Sequence, residues 1–147
     1  MKISLITEAQ TEAAKNIVLQ GFKERFGVII DGLNPDLDDI TGYYKTDKFF
    51  YVGVYKGELA ATGGIIFEAP EEARIVRMSV LSPYRGLGLG RKMLMFLEEE
   101  ANKRGARHLV LETNKEWSDA ISFYRKNGYQ QYRREAERIH FLKKSST

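Results

Sequence analysis

The chain has 147 residues, 43% apolar and 29% charged, with a net charge of +3, which is enough for one domain with its own core. It has no cysteine and only His108 and His140, so disulfides and thiolate zinc sites are excluded and no transition-metal site is expected. No apolar run reaches membrane-spanning length and residues 1–4 open no signal-peptide pattern, so a cytoplasmic protein without membrane contact is expected.

The charge is uneven. Residues 1–72 carry 7 Lys/Arg against 12 Asp/Glu, whereas residues 73–147 carry 16 against 8. A basic half asks for an anionic partner. Its cations are dispersed among predicted strands and helices and no nucleic-acid-binding motif is present, so a multiply phosphorylated small molecule is expected and nucleic acid is not.

In chain order, residues 2–6 alternate polar and apolar as a first strand. Thr7-Glu8-Ala9-Gln10 has capping-box form, so a helix is expected from about Glu8, buried along Ala13, Ile17, Val18 and Phe22, with Gly27 past its end. Residues 28–33 are apolar and ambiguous, with a turn at Asp31-Gly32. Asn34-Pro35 reads as a cap and first helical position, followed by Asp36, Asp38 and Asp39 where a helix dipole favours anions. Tyr43 and Tyr44 end this second helix, either as core or as the lining of an acceptor pocket.

Residues 49–55 and 58–67 form a predicted hairpin turning at Lys56-Gly57, and Gly63-Gly64 marks a bulge or a close backbone approach. A loop at 68–72 containing Pro70 leads into residues 74–81, an apolar, β-branched strand ended by Ser82-Pro83. Gly86, Gly88 and Gly90 follow, flanked by Arg85 and Arg91, and helical spacing resumes with Leu89, Met93, Phe96 and Leu97. Backbone N–H groups freed by such a loop, together with the positive end of the next helix, form an anion site. The loop is not a Walker loop, since Arg91-Lys92-Met93 stands where Lys-Ser/Thr is required. It is not a dinucleotide fingerprint either, because G-x-G-x-G has the wrong spacing.

The helix is expected over 88–104, stopped by Gly105, with Glu99/Lys103 and Glu100/Arg104 paired on its wet face. A strand at 107–113 should run parallel to the 74–81 strand, since a helix joins them. Asn114 ends it. A short helix over 120–126 is capped by Asn127-Gly128, and residues 129–134 and 138–142 close the chain as a hairpin with a charged edge.

Two separated motifs then carry a resemblance. Arg85-x-x-Gly88-x-Gly90 follows a strand ending Met78-x-Val80-x-x-Pro83, and after Asn114 comes Ala120-x-x-Phe123-Tyr124-x-x-x-Gly128-Tyr129. In order and spacing the chain resembles the GCN5-related N-acetyltransferases (GNAT family), specifically a small stand-alone member. The resemblance implies an α/β fold: a twisted, mostly antiparallel sheet of about six to seven strands, helices on both faces, and one splayed parallel strand pair. It implies acetyl-coenzyme A as co-substrate and no metal. The acceptor would be a primary amine of a small molecule or peptide, acetylated by direct attack through a tetrahedral intermediate.

Residue by residue, it places the pyrophosphate on Arg85, Gly86, Leu87, Gly88, Leu89, Gly90 and Arg91. The pantetheine falls on Met78, Ser79 and Val80, with Asn114 opposite. The Val80 N–H would polarise the thioester, and Tyr124 would protonate the leaving thiolate. No general base is singled out among Glu68, Glu71, Glu72, Glu112 and a water relay. Arg77 is expected on the outer face as solvated charge rather than holding a substrate carboxylate. A non-catalytic acyl-coenzyme A sensor is the alternative function, and a homodimer is allowed though no stretch argues for one.

Overall fold

A computed structural model describes residues 1–26 and 34–145. The readings for Gly27 and for residues 28–33 lie outside the described residues. Lys56 (φ 51°) and Gly57 (φ 81°) both take the left-handed conformation that a two-residue hairpin turn requires. They fold β2 (Lys48–Tyr55) back onto β3 (Glu58–Ala69). A tight turn at Pro70–Glu71 returns the chain as β4 (Glu72–Val80).

With β1 (Lys2–Leu5), β5 (His108–Asn114), β6 (Gln130–Arg134) and β7 (Arg138–Lys144), these form one seven-stranded sheet in the order β1-β2-β3-β4-β5-β7-β6. Among the described residues every pairing is antiparallel except β4–β5, the pair joined by a helix. All five residues of β6, the edge strand beside β7, are exposed, and charge keeps that edge from pairing further.

Two clusters fix the helices. On one face α3 (Leu89–Lys103) buries Met93, Leu94, Leu97 and Ala101 against Ala61, Ile65, Ala73, Ile75 and Leu109, joined by α4 (Ser118–Lys126) through Tyr124. On the other, α1 (Thr11–Phe26) and α2 (Ile40–Tyr43) cover Phe50 and Val52 with Ala14, Val18 and Ile40. A fully buried leucine contributes about 1.5–3 kcal/mol, so the α3 seam anchors the start of that helix firmly. Gly63 makes the seam possible: an added Cβ would lie 2.7 Å from Leu97 Cδ1. Gly64 is equally confined on the opposite face, 2.9 Å from Val76 Cγ2.

Several expectations are corrected. Ala14, not Ala13, lies in the buried stripe of the first helix, which opens with a 3-10 turn at Glu8–Gln10 before α1. The Thr7 N–H donates to Gln10 Oε1 at 3.0 Å, as the capping box requires. The second helix is broken into a 3-10 turn at Pro35–Leu37 and α2, which Asp39 caps by accepting from the Gly42 N–H. Glu99–Lys103 pair at 3.5 Å, while Arg104 lies over the Phe49 ring.

Candidate active site

The parallel β4–β5 pairing covers Glu72↔His108, Ala73↔Leu109 and Arg74↔Val110, and among the described residues it goes no further. Beyond Arg74 the two strands part. Opposite Gly63 of β3, β4 carries two residues, Arg77 and Met78, so the register shifts by one there. Arg77 takes a left-handed φ of 54°, and the Thr62 hydroxyl donates to its carbonyl at 2.8 Å. Past the bulge, the Leu81 N–H donates to the Ala60 carbonyl at 2.8 Å. Strand alternation then turns the backbone groups of Met78 and Val80 the other way, into the gap. The Val80 carbonyl accepts from Arg85 Nε at 2.9 Å, which leaves its N–H as the polar group on that edge. Ser79 is not brought to this edge: it pairs with Thr62, and its hydroxyl lies against Gly21 of α1.

A 3-10 turn at Ser82–Tyr84 carries the chain from β4 into the glycine loop. Gly86 (φ 81°) and Gly88 (φ 79°) hold left-handed turns that a side chain would strain, and an added Cβ at either would meet nothing within 4 Å. The loop leads directly, through Gly88 as the N-cap, into the first amides of α3, which have no intrahelical acceptor. Gly90 is the junction: its would-be Cβ lies 3.8 Å from both Val80 Cγ2 and Phe123 Cζ, so the end of β4, the start of α3 and the middle of α4 meet there. Leu89 is buried in the core and offers only its backbone to a ligand; Leu87 and Arg91 are exposed.

Arg85 does not face the loop. Its guanidinium is bidentate on Glu24 of α1, at 2.7 and 3.1 Å. Its charge is already engaged by that carboxylate, which an anion at the loop would share or displace.

Tyr124 is 9% exposed, in a ring cluster with Phe123, Tyr129 and Phe141. α4 is held in place from its C-terminal end. The Tyr129 hydroxyl donates to Glu98 of α3 at 2.8 Å, and Lys143 of β7 donates to both Glu98 and the Asn127 carbonyl. Burial, with the Glu98 charge and hydrogen bond, pushes the Tyr129 phenol far above its ordinary value, so it stays a donor. Asn114 ends β5 with its Oδ1 accepting from the Glu116 N–H at 2.9 Å, so its NH2 is the part suited to a ligand.

Arg77 corrects another expectation. Rather than lying solvated on an outer face, its side chain is 18% exposed and clamped. Nε and Nη2 donate to the two oxygens of Asp36 at 2.9 and 2.7 Å, and Nη2 also to Asn34 Oδ1 at 3.1 Å. The Tyr44 hydroxyl donates to Asp36 at 2.8 Å, so Tyr44 is a buried network member, while Tyr43 is 40% exposed. Burial alone would raise the Asp36 carboxyl, but the hydrogen bonds from Arg77 and Tyr44 and the Arg77 charge hold it below the ordinary carboxylate value. Burial and the Asp36 carboxylate push the Tyr44 phenol up.

Of the carboxylates considered as a base, Glu68 faces Arg74 (2.9 Å), Glu71 faces Arg107 (3.6 Å) and Glu112 faces Arg138 (3.1 Å). His140 lies between Glu135 and Glu112, at 3.1 and 3.6 Å. Among the described residues no group of three or more His, Cys, Asp or Glu is placed to hold a metal, and no helix is long and apolar enough to cross a membrane. Unpaired strand amides, open space beside a glycine loop and nearby cations together suit an elongated anionic ligand that carries amides of its own.

Residues 11–129 match the model of the Acetyltransferase (GNAT) family. The probable N-acetyltransferase 14 of Xenopus tropicalis is 34% identical over 100 residues, 65% of this chain and 48% of that protein, so the chain spans about half the length of that relative. A GNAT-family acetyltransferase from Staphylococcus aureus Mu50 superposes with a TM-score of 0.89 at 20% identity, covering 99% of both chains. The PaiA N-acetyltransferase of Thermoplasma acidophilum, solved in complex with coenzyme A, superposes with a TM-score of 0.85 at 17% identity, covering 97% and 98%. The fold described above is the one these structures share.

Proposed function

This chain belongs to the GNAT acetyltransferase family, and on that footing we propose that it transfers an acetyl group from acetyl-coenzyme A to a primary amine of a small molecule or peptide. The observation that carries this reading is the parting of β4 from β5 after three residue pairs, with the Val80 N–H turned into the gap and the start of α3 adjoining it at Gly90.

Acetyl-coenzyme A supplies an activated acyl carbon: the amine nitrogen bonds to it, the C–S bond breaks and a thiolate leaves. The chain provides the setting. Backbone N–H groups of Gly86, Leu87, Gly88, Leu89 and Gly90, with Arg91 beside them, hold the diphosphate. Met78 and Val80 present strand amides to the pantetheine from one side and Asn114 its NH2 from the other. The Val80 N–H donates to the acyl oxygen as negative charge gathers there, which is worth most in a site from which water is largely excluded.

An alkylamine with a pKa of about 10.4 must shed a proton before it attacks. A water relay carries that proton away in this reading, since Glu68, Glu71 and Glu112 each already face an arginine and Glu72 lies at the closed start of β4, before the strands part. Tyr124 of α4, whose neighbour Phe123 adjoins Gly90, returns a proton to the thiolate in this reading.

The test is a screen for free-thiol release from acetyl-coenzyme A across an amine library, run beside calorimetric titration of the coenzyme. Binding with transfer to at least one amine class supports the enzyme. Tight binding with no transfer to any amine supports the sensor instead.

A further inference from the structure

The bulge at Arg77 decides which amide enters the gap. Without it, strict alternation from Ala73 and Ile75, both in the α3 cluster, would put residue 77 on that face and residues 78 and 80 on the other. With it, Met78 and Val80 pack on the α3 side, and Val76 packs with the α1 cluster. The same one-residue slip would exchange backbone edges, sending the Val80 N–H to β3 and the Leu81 N–H to the gap. A left-handed φ is natural for glycine or asparagine and unfavourable for arginine, so something must hold it.

What holds it is the Asp36 fork, at 2.9 and 2.7 Å, with Asn34 on Nη2, the Phe22 ring 5.8 Å away, and Tyr44 fixing Asp36 from behind. We infer that Arg77 is a positioning residue, and that its clamp by Asp36 keeps the bulge that aims the Val80 amide at the acyl oxygen. The inference rests on the acyl-transfer reading above. It couples the segment at 34–44 to the reacting carbonyl without either residue touching substrate.

The experiment uses the full chain with acetyl-coenzyme A labelled with ¹³C at the thioester carbonyl. Isotope-edited infrared difference spectra report whether a donor polarises that carbonyl, and calorimetry reports coenzyme affinity. The wild type should bind with the carbonyl stretch shifted to lower frequency; no binding, or binding without a shift, overturns the acyl-transfer reading itself. Given the wild-type shift, Arg77→Ala and Asp36→Asn should lose most of it, with affinity changed by less than about tenfold. Turnover should fall about 10²-fold, the scale of one misplaced oxyanion donor.

Arg77→Gly should keep the shift, because glycine holds the positive φ unaided. If Arg77→Ala and Asp36→Asn keep the full shift, or Arg77→Gly loses it as completely as they do, the positioning role is wrong. Should Arg77→Ala fail to fold, Asp36→Asn against Arg77→Gly decides the matter alone.

Discussion

The two halves of β4 belong to one continuous strand and do different things. Glu72, Ala73 and Arg74 have a strand on either side, β3 and β5, whereas beyond the bulge Ser79 and Val80 lie beside β3 alone and the backbone groups of Met78 and Val80 face the gap. In the closed half the side chains matter, with Ala73 and Ile75 sealed beneath α3. In the open half the backbone matters, because its unpaired edge is what a ligand could complete. One bulged residue separates a structural element from a site, so a substitution before Arg77 should act on folding and one around the gap beyond it on the reaction.

The sharpest form of that contrast begins with Ile75→Ala. Ile75 is 4% exposed in the α3 cluster, and truncation should cost about 3 kcal/mol, lowering Tm by roughly 10 °C. Turnover per folded molecule should stay within about twofold of wild type. A large fall in kcat without loss of Tm would break the comparison.

Tyr124→Phe, on α4, is the counterpart on the side of the reaction. It keeps the ring packed against Tyr129 and Phe141 and removes only the hydroxyl. We expect kcat to fall about 10²-fold with coenzyme affinity nearly unchanged and Tm moved by no more than about 3 °C. Unchanged turnover would return Tyr124 to the core and remove the proton donor from the mechanism.

The difference between the halves was only partly legible beforehand. Alternation, turn residues and helical spacing predict the strands, the hairpin at Lys56-Gly57, α3 and the parallel β4–β5 pair, because each is written in neighbouring residues. The glycine loop is legible for the same reason. Asp36, 41 residues from Arg77, is not: beside Pro35 it has the local look of a helix-dipole acid, and only the assembled sheet brings it to the guanidinium. Glu24, 61 residues from Arg85, is hidden in the same way. The bulge left one faint signal, the Gly63-Gly64 pair, which points to irregularity on β3 without saying that Arg77 carries it.

Acid should erase one boundary between the halves. Asp36 keeps its charge in the folded chain to lower pH than the ordinary value of about 3.9, so its clamp stabilises the fold fully above that value. The contribution is lost as pH falls from there through the lower folded value. At pH 7, Asp36→Asn should therefore be less stable than wild type by about 2 kcal/mol, the scale of hydrogen bonds to a charged group. Thermal unfolding followed down in pH should show the two curves converging below about pH 4. A gap independent of pH would mean that the carboxylate charge is not what holds Arg77.

The smallest effect tests the far end of the open half, where Arg85 lies between two roles. Bound to Glu24 and to the Val80 carbonyl, it braces the turn that follows β4; released from Glu24, it can reach a diphosphate at the glycine loop. The two roles predict opposite signs. If Glu24 competes with the coenzyme for the guanidinium, Glu24→Gln weakens the competitor and coenzyme affinity rises. If the ion pair is a brace, the same change loosens the loop and affinity falls. Arg85 is 46% exposed and Glu24 31%, so the pair is screened and worth less than about 1 kcal/mol, which limits either change to a few-fold. We expect an increase of about two- to fivefold by calorimetry at low salt, shrinking as salt is added, because the coenzyme carries more negative charge than the carboxylate it displaces. A decrease of the same size would make Arg85 part of the scaffold and leave the anion to the loop amides and Arg91.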